Sequence, residues 1–219
     1  MKKVAVILSG AGVFDGTEIH ESVITLLALD RRGAAVQCLA PDIPQMQVMN
    51  HLTGKPTGET RSVLVESARI ARGEIKDLAQ VDVNDFDAAI FPGGFGAAKN
   101  LCDFAVKGPL CSVNPVVETF IKEALKAGKI LGFICIAPAL AARVAGSIGL
   151  HPDLTIGTDK DTAAAIEKMG GHHVSSTAAD FVVDEKHKIV TTPAYMLGQR
   201  IGEVAEGIEK LVDKVLELC

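Results

Sequence analysis

The sequence predicts an α/β fold, a three-layer sandwich in which one mainly parallel sheet lies between helices. Three observations predict it. Short continuous apolar runs at Val4–Leu8, Ala35–Leu39, Ala88–Phe91 and Ile130–Ile134 read as strands buried on both faces. Segments with apolar residues at helical spacing separate these runs, and strands alternating with helices imply parallel crossovers that cover both faces of the sheet. Glycine or proline punctuates the junctions, among them Gly33, Pro41, Pro92-Gly93-Gly94 and Gly128. The chain has 219 residues, 48% of them hydrophobic, which suits one domain over 1–219 and is short for two.

Taken in order, Val4–Leu8 is the first strand, SGAGVFDG (Ser9–Gly16) its turn, and Thr17–Arg32 a helix that Gly33 ends. Ala35–Leu39 is the second strand, closed by Pro41-Asp42. Ile43–Thr60 carries turn residues and little periodicity, so it reads as an excursion beyond the core sheet. Arg61–Arg72 is helical, Glu74–Ala79 a short strand, and Ala88–Phe91 a core strand ended by Pro92-Gly93-Gly94. Leu101–Pro115 reads as loop. Val116–Ala127 is a helix, Ile130–Ile134 a strand, and Pro138 opens another helix that runs to Ala145. Leu154–Ile156 is a short strand and Thr162–Met169 a helix. Phe181–Val183 and Ile189–Thr191 flank DEKHK as a hairpin, and Gln199–Leu218 is a final amphipathic helix.

Composition narrows the function. The net charge is -5, and Lys and Arg are scattered without interleaved aromatics, so there is no nucleic-acid or anionic-membrane footprint. A small molecule is the expected partner. Cysteines 38, 102, 111, 135 and 219 are odd in number and form no CxxC, which argues against a disulfide framework or a zinc site and suits a reducing, cytoplasmic setting. The MKK start followed by VAVIL is too short an apolar run for a signal peptide and reads as the first strand. No apolar stretch is long enough to span a bilayer. His172 and His173 are adjacent near a strand, so their side chains point to opposite faces and no metal is expected there.

The stretch KILGFICIAPALAAR (Lys129–Arg143) carries the chemistry. A buried strand breaks at Cys135 and resumes after Pro138 as a helix, which is a nucleophile elbow: the side chain is lifted above the sheet and helix-start N–H groups point at it. A thiol placed there should ionise easily. The alternative is an ordinary core cysteine. A strict elbow has glycine two residues either side of the nucleophile, where this chain has Phe133 and Ala137. In a flavodoxin-like strand order, Ser9–Glu18, Pro92–Gly96 and Cys135–Ala137 share the carboxyl edge of the sheet at its switch point. Glu18 is then a candidate acid/base beside Cys135, or simply a stabiliser of the first helix turn. The N–H groups of Gly94 and Ile136 are candidate oxyanion donors. His20 is a possible ligand contact, and Asp15 reads as the N-cap of the first helix. Gly10, Gly12 and Gly16 miss the dinucleotide fingerprint, because Asp15 stands at the third glycine position, and FGAAK is no P-loop.

With those residues in view, the chain resembles the ElbB type within the ThiJ/PfpI branch of the class I glutamine amidotransferase-like superfamily. The resemblance rests on SGAGVFDGTEIHE (Ser9–Glu21), NHLTG (Asn50–Gly54), PGGFGAAKNL (Pro92–Leu101), GFICIAP (Gly132–Pro138), TIGTD (Thr155–Asp159) and KIVTTPAYM (Lys188–Met196). It implies a flavodoxin-like fold, a homodimer, a cofactor-free site of Cys135 with Glu18, a link to isoprenoid biosynthesis and weak glyoxalase activity on a small aldehyde. No His-x-Glu pair occurs, which disfavours glutamine hydrolysis. Ile136 follows the cysteine where many relatives have histidine. Gly157-Thr158-Asp159 stands where deglycase-like members carry another, so Asp159 or Thr158 is the expected stand-in. Two functions follow: a glyoxalase-like enzyme converting glyoxal to glycolate, or a redox-responsive binding protein with an oxidisable Cys135.

Overall fold

The computed structural model describes residues 1–219. In chain order the elements are β1 (Lys3–Ile7), α1 (Ile19–Arg31), β2 (Ala35–Ala40), β3 (Met49–Asn50), β4 (Lys55–Pro56), α2 (Val63–Ile70), β5 (Ile75–Asp77) and β6 (Ala88–Phe91). There follow α3 (Phe95–Lys99), α4 (Phe104–Lys107), α5 (Pro115–Lys126), β7 (Ile130–Ile134), α6 (Pro138–Ser147), β8 (Asp153–Leu154), α7 (Lys160–Lys168), β9 (His172–His173), β10 (Val182–Asp184), β11 (Ile189–Thr192) and α8 (Ile201–Leu218). Seven strands form one sheet in the order β10-β11-β7-β6-β1-β2-β5, parallel except for the β10–β11 hairpin. Each expected core strand is present. The expected segment Leu101–Pro115 is less loop-like than its turn residues suggest, since it holds α4 and a 310 turn at Gly108–Leu110.

Alternation along the strands divides the core. Ala5, Ile7, Phe91, Leu131 and Phe133 face a layer built with α5, α6 and α7, whereas Val4, Val6, Ile90, Ile134 and Val190 face α1 and α8. Two separate apolar layers on one sheet make the three-layer sandwich. Gly132 sits where α8 crosses β7. A side chain there would crowd Ile90, Leu211 and Val215 at 3.2 to 3.4 Å.

Ile43–Thr60 is the expected excursion, with β3 and β4 pairing as a two-residue hairpin. It is anchored to the turn after β1. Asp15 Oδ2 accepts from the Met49 N–H at 2.6 Å, Gln45 donates to the Asp15 carbonyl, and the rings of Phe14 and His51 stack at 4.9 Å. Asp15 is therefore not the N-cap of α1 that the sequence suggests. Glu18 takes that place, because the chain stays extended through Glu18 (φ -63°, ψ 119°) and helical geometry begins only at Ile19.

Candidate functional site

β7, β6 and β1 are adjacent, so the turns that follow them meet at one sheet edge. Cys135 follows β7 directly and has φ 63°, the left-handed region that non-glycine residues occupy at a cost of about 1–2 kcal/mol. The strained residue is held from both sides: its N–H donates to the Thr192 carbonyl at 2.9 Å, and Ala137 N–H donates to Ile134 at 3.0 Å before Pro138 starts α6. The elbow is real. Phe133 is accommodated because its side chain points to the opposite face of the sheet, where it stacks on Phe91 at 4.7 Å.

The turn after β6 closes tightly on this thiol. A side chain at Gly93 would lie 2.4 Å from Cys135 Cβ and 2.8 Å from a Glu21 oxygen, and Gly94 has φ 89°. The Gly93 carbonyl accepts from Glu18 N–H at 3.0 Å, Gly96 N–H donates to Gly16 at 2.8 Å, and Asn100 bridges the carbonyls of Ser9 and Asp15. Gly94 and Ile136 donate no backbone hydrogen bond to any carbonyl. Their N–H groups flank Cys135 and favour its thiolate, as the elbow reading expects.

The carboxylate at the thiol is Glu21, one turn beyond the expected Glu18. Glu18 and Glu21 form the acid-x-x-acid pattern of a helix start, and Glu18 Oε2 accepts from Glu21 N–H at 2.7 Å. In a capping box the second side chain returns to the first residue's N–H. Here that N–H is already satisfied by Gly93, so the Glu21 carboxylate is free to turn inward. It accepts from Gly93 N–H at 2.9 Å and Tyr195 N–H at 3.3 Å, and it lies beside the Cys135 side chain against the same Gly93 turn. Glu18 acts as the cap and as a neighbouring negative charge, while Glu21 turns inward to the Gly93 turn beside Cys135.

Complete burial, and then the Glu18 charge, push Glu21 up to about 8, so it carries a proton at neutral pH. Burial and then the Glu21 charge also push the Cys135 thiol well above its ordinary value, against the pull of the Gly94 and Ile136 N–H groups. This corrects the expectation of a readily ionised thiol: helix-start N–H groups are present, but desolvation outweighs them. Thiol and carboxyl are a coupled pair in a site where Cys135 is 8% exposed.

Of the other candidates, His20 lies at the site edge, with Nδ1 2.8 Å from the Tyr195 hydroxyl. Asp159 does not stand in for a missing base. Its carboxylate is exposed and caps α7 by accepting from Thr162 N–H at 2.8 Å. His172 bonds Asp153, and no group of three His, Cys, Asp or Glu converges in metal-binding geometry. Glu21 and Tyr195 were absent from the sequence-derived site. The signal for Glu21 was its i+3 spacing from Glu18, which sets the two carboxylates about one turn apart on the same side of the helix start. Tyr195 is the sole tyrosine of the chain, within KIVTTPAYM.

The fold and this elbow define an amidotransferase-like α/β protein of the ThiJ/PfpI type. No family model matches the chain. Human glutamine amidotransferase-like class 1 domain-containing protein 3, mitochondrial, is 50% identical over 99% of this chain and 83% of its own length, and the rat ES1 protein homolog, mitochondrial, is 48% identical over 99% and 84%. An Ehrlichia chaffeensis isoprenoid biosynthesis protein with an amidotransferase-like domain superposes with a TM-score of 0.93 at 36% identity, over 100% of this chain and 99% of that one. Drosophila melanogaster DJ-1beta shares the fold at a TM-score of 0.57 and 20% identity, over 99% and 95%. The chain belongs to the ES1, glutamine amidotransferase-like class 1 family and is of the ElbB type. No helix is long and apolar enough to cross a membrane.

Proposed function

We propose that this protein is a glutathione-independent, glyoxalase-like enzyme that converts glyoxal to glycolate, and the observation that carries the reading is the buried Glu21–Cys135 pair beneath two unpaired N–H groups. Cys135 sulfur adds to one aldehyde carbon while its proton passes to ionised Glu21. Gly94 and Ile136 N–H groups hold the resulting oxyanion until Glu21 returns the proton to it. Glu21 then removes the hydrogen from the thiol-bearing carbon as the second carbonyl oxygen gains a proton. Reprotonation of the second carbon by Glu21, with loss of the first oxygen's proton, leaves a thioester of hydroxyacetate. Water hydrolyses it to glycolate and free thiol. A carboxylate titrating near 8 is well matched to this traffic at neutral pH.

The test is glycolate production with chelator present and glutathione absent, with Cys135→Ser as control. Product well beyond one equivalent per chain is expected. Product that stops at one equivalent favours the second reading, a non-catalytic redox-responsive binding protein. That reading draws on the same geometry, since protonated Glu21 and two N–H groups could donate to the oxygens of a sulfinate. A link to isoprenoid biosynthesis comes from the description of the Ehrlichia relative. Five free thiols suit a reducing compartment, either the cytoplasm or the mitochondrion named for the human and rat relatives, and cell fractionation distinguishes the two.

A homodimer is the proposed assembly. Ile19, Val23 and Leu27 repeat every four residues along α1 and are 43–48% exposed, an apolar stripe that a second copy would cover. Light scattering at micromolar concentration is expected to report twice the 23.0 kDa chain mass. A monomer mass refutes the assembly.

A further inference from the structure

A histidine, His20, stands at the edge of the site, joined to it through Tyr195. Tyr195 is tied at two points to the helix turn that carries Glu21. Its N–H donates to Glu21 at 3.3 Å, and its hydroxyl meets Nδ1 of the neighbouring residue His20 at 2.8 Å. The two rings lie 5.8 Å apart, tilted by 46°. Tyr195 is half-buried and packs against the apolar layer that includes Cys135, while His20 is exposed. Ala194 is held at φ 44°, the same strained region as Cys135, and thereby fixes the backbone direction from which Tyr195 departs. Two of the four non-glycine residues at positive φ, Cys135 and Ala194, thus bound one site, and Tyr195 meets buried Glu21 through its N–H and exposed His20 through its hydroxyl.

We propose that Tyr195 is the acid that serves the second oxygen of an α-oxo aldehyde and that His20 positions and recharges it. This rests on the glyoxalase reading. When Glu21 takes the hydrogen from the thiol-bearing carbon, negative charge develops on the far carbonyl oxygen, and Glu21 cannot neutralise it because it has just received that proton. Tyr195 O–H gives its proton to this oxygen, and His20, whose Nδ1 meets the hydroxyl at 2.8 Å, gives one to the phenolate oxygen. When the first oxygen later loses its proton to form the thioester, that proton returns through Tyr195 to His20. No proton is gained or lost over the cycle. The arrangement selects substrates with two adjacent oxygens, because a simple aldehyde offers nothing to the Tyr195 hydroxyl.

The experiment compares wild type, Tyr195→Phe and His20→Gln on glyoxal. It also uses glyoxal protection of Cys135 from iodoacetamide, which reads addition alone. Tyr195→Phe is expected to lower kcat by about 10²-fold, in the range typical of a lost acid, with protection by glyoxal retained. His20→Gln is expected to lower kcat by about tenfold while KM for glyoxal and protection of Cys135 by glyoxal stay as in wild type. The imidazole NMR signals of His20 should shift in Tyr195→Phe, because the ring loses its hydroxyl partner. Thermal melts of both variants control for folding, and His20 is exposed, so its variant tests the idea even if Tyr195→Phe unfolds. Wild-type turnover with kcat unchanged in both variants overturns the role of this pair and leaves the Cys135 reading standing. Glycolate limited to one equivalent in wild type overturns both.

Discussion

Glu21→Gln is expected to lower kcat for glyoxal by about 10²–10⁴-fold, because the amide keeps the hydrogen-bonding shape and cannot carry a proton between atoms. Wild-type kcat should rise with pH towards about 8 as Glu21 ionises, and the variant should lose that limb. Glu18→Gln is the informative contrast. It keeps a cap acceptor but removes the charge that raises Glu21, so the limb should move to lower pH while turnover persists. Stability supplies a second readout with a definite sign. Unfolded Glu21 ionises near the ordinary value of 4.5, the folded residue only at about 8, so between these pH values the folded state holds the extra proton. Its contribution to stability is full below the lower value and falls by about 1.4 kcal/mol per pH unit through that window. Glu21→Gln should therefore melt with a flatter pH dependence and gain on wild type as pH approaches 8. An unchanged melting slope together with unchanged turnover would refute the placement of Glu21 at the thiol.

The fold was legible because its signals are local and repeated. Buried parallel strands announce themselves as short apolar runs, and the helices between them by period and by the glycines that end them. The elbow was legible for a similar reason: strand, cysteine and Pro138 are consecutive, so one stretch contains the whole device. The partner carboxylate was not. Choosing Glu21 over Glu18 depends on where α1 begins to within a single residue, and on whether Gly93 has already satisfied the Glu18 N–H. That second fact joins positions far apart in the chain. Asp15 and Asp159 show the same limit from the other side, since any acid near a helix start resembles a cap or a ligand until its actual partner is known. The thiol's ionisation was misjudged because sequence shows the donors around a group but not how completely the group is removed from water.

Gly93→Ala should damage the site more than its single methyl suggests. The added carbon would lie 2.4 Å from Cys135 Cβ, 2.8 Å from Glu21 Oε2 and 2.9 Å from the Ile134 carbonyl. None of these can retreat freely. Cys135 is locked at positive φ by the Thr192 and elbow hydrogen bonds, the Ile134 carbonyl belongs to the sheet edge, and Glu21 has no solvent to move into. The turn after β6 must move instead, carrying the Gly93 N–H from Glu21 and the Gly94 N–H away from Cys135. A displacement of about 1 Å at reacting groups costs about 10² in rate, and overpacking of this kind costs about 1–3 kcal/mol of stability. Gly202→Ala is the matched control, because that glycine lies in α8 with nothing within 4 Å of the added carbon. It should leave glyoxal turnover unchanged and raise the melting temperature slightly, as alanine favours the helix by up to about 1 kcal/mol. The measurement is kcat/KM for glyoxal alongside thermal denaturation of both variants. If Gly93→Ala retained wild-type kcat/KM and melting temperature, the close approach of this turn to the thiol would be wrong, and with it the claim that Gly94 N–H serves the reacting sulfur.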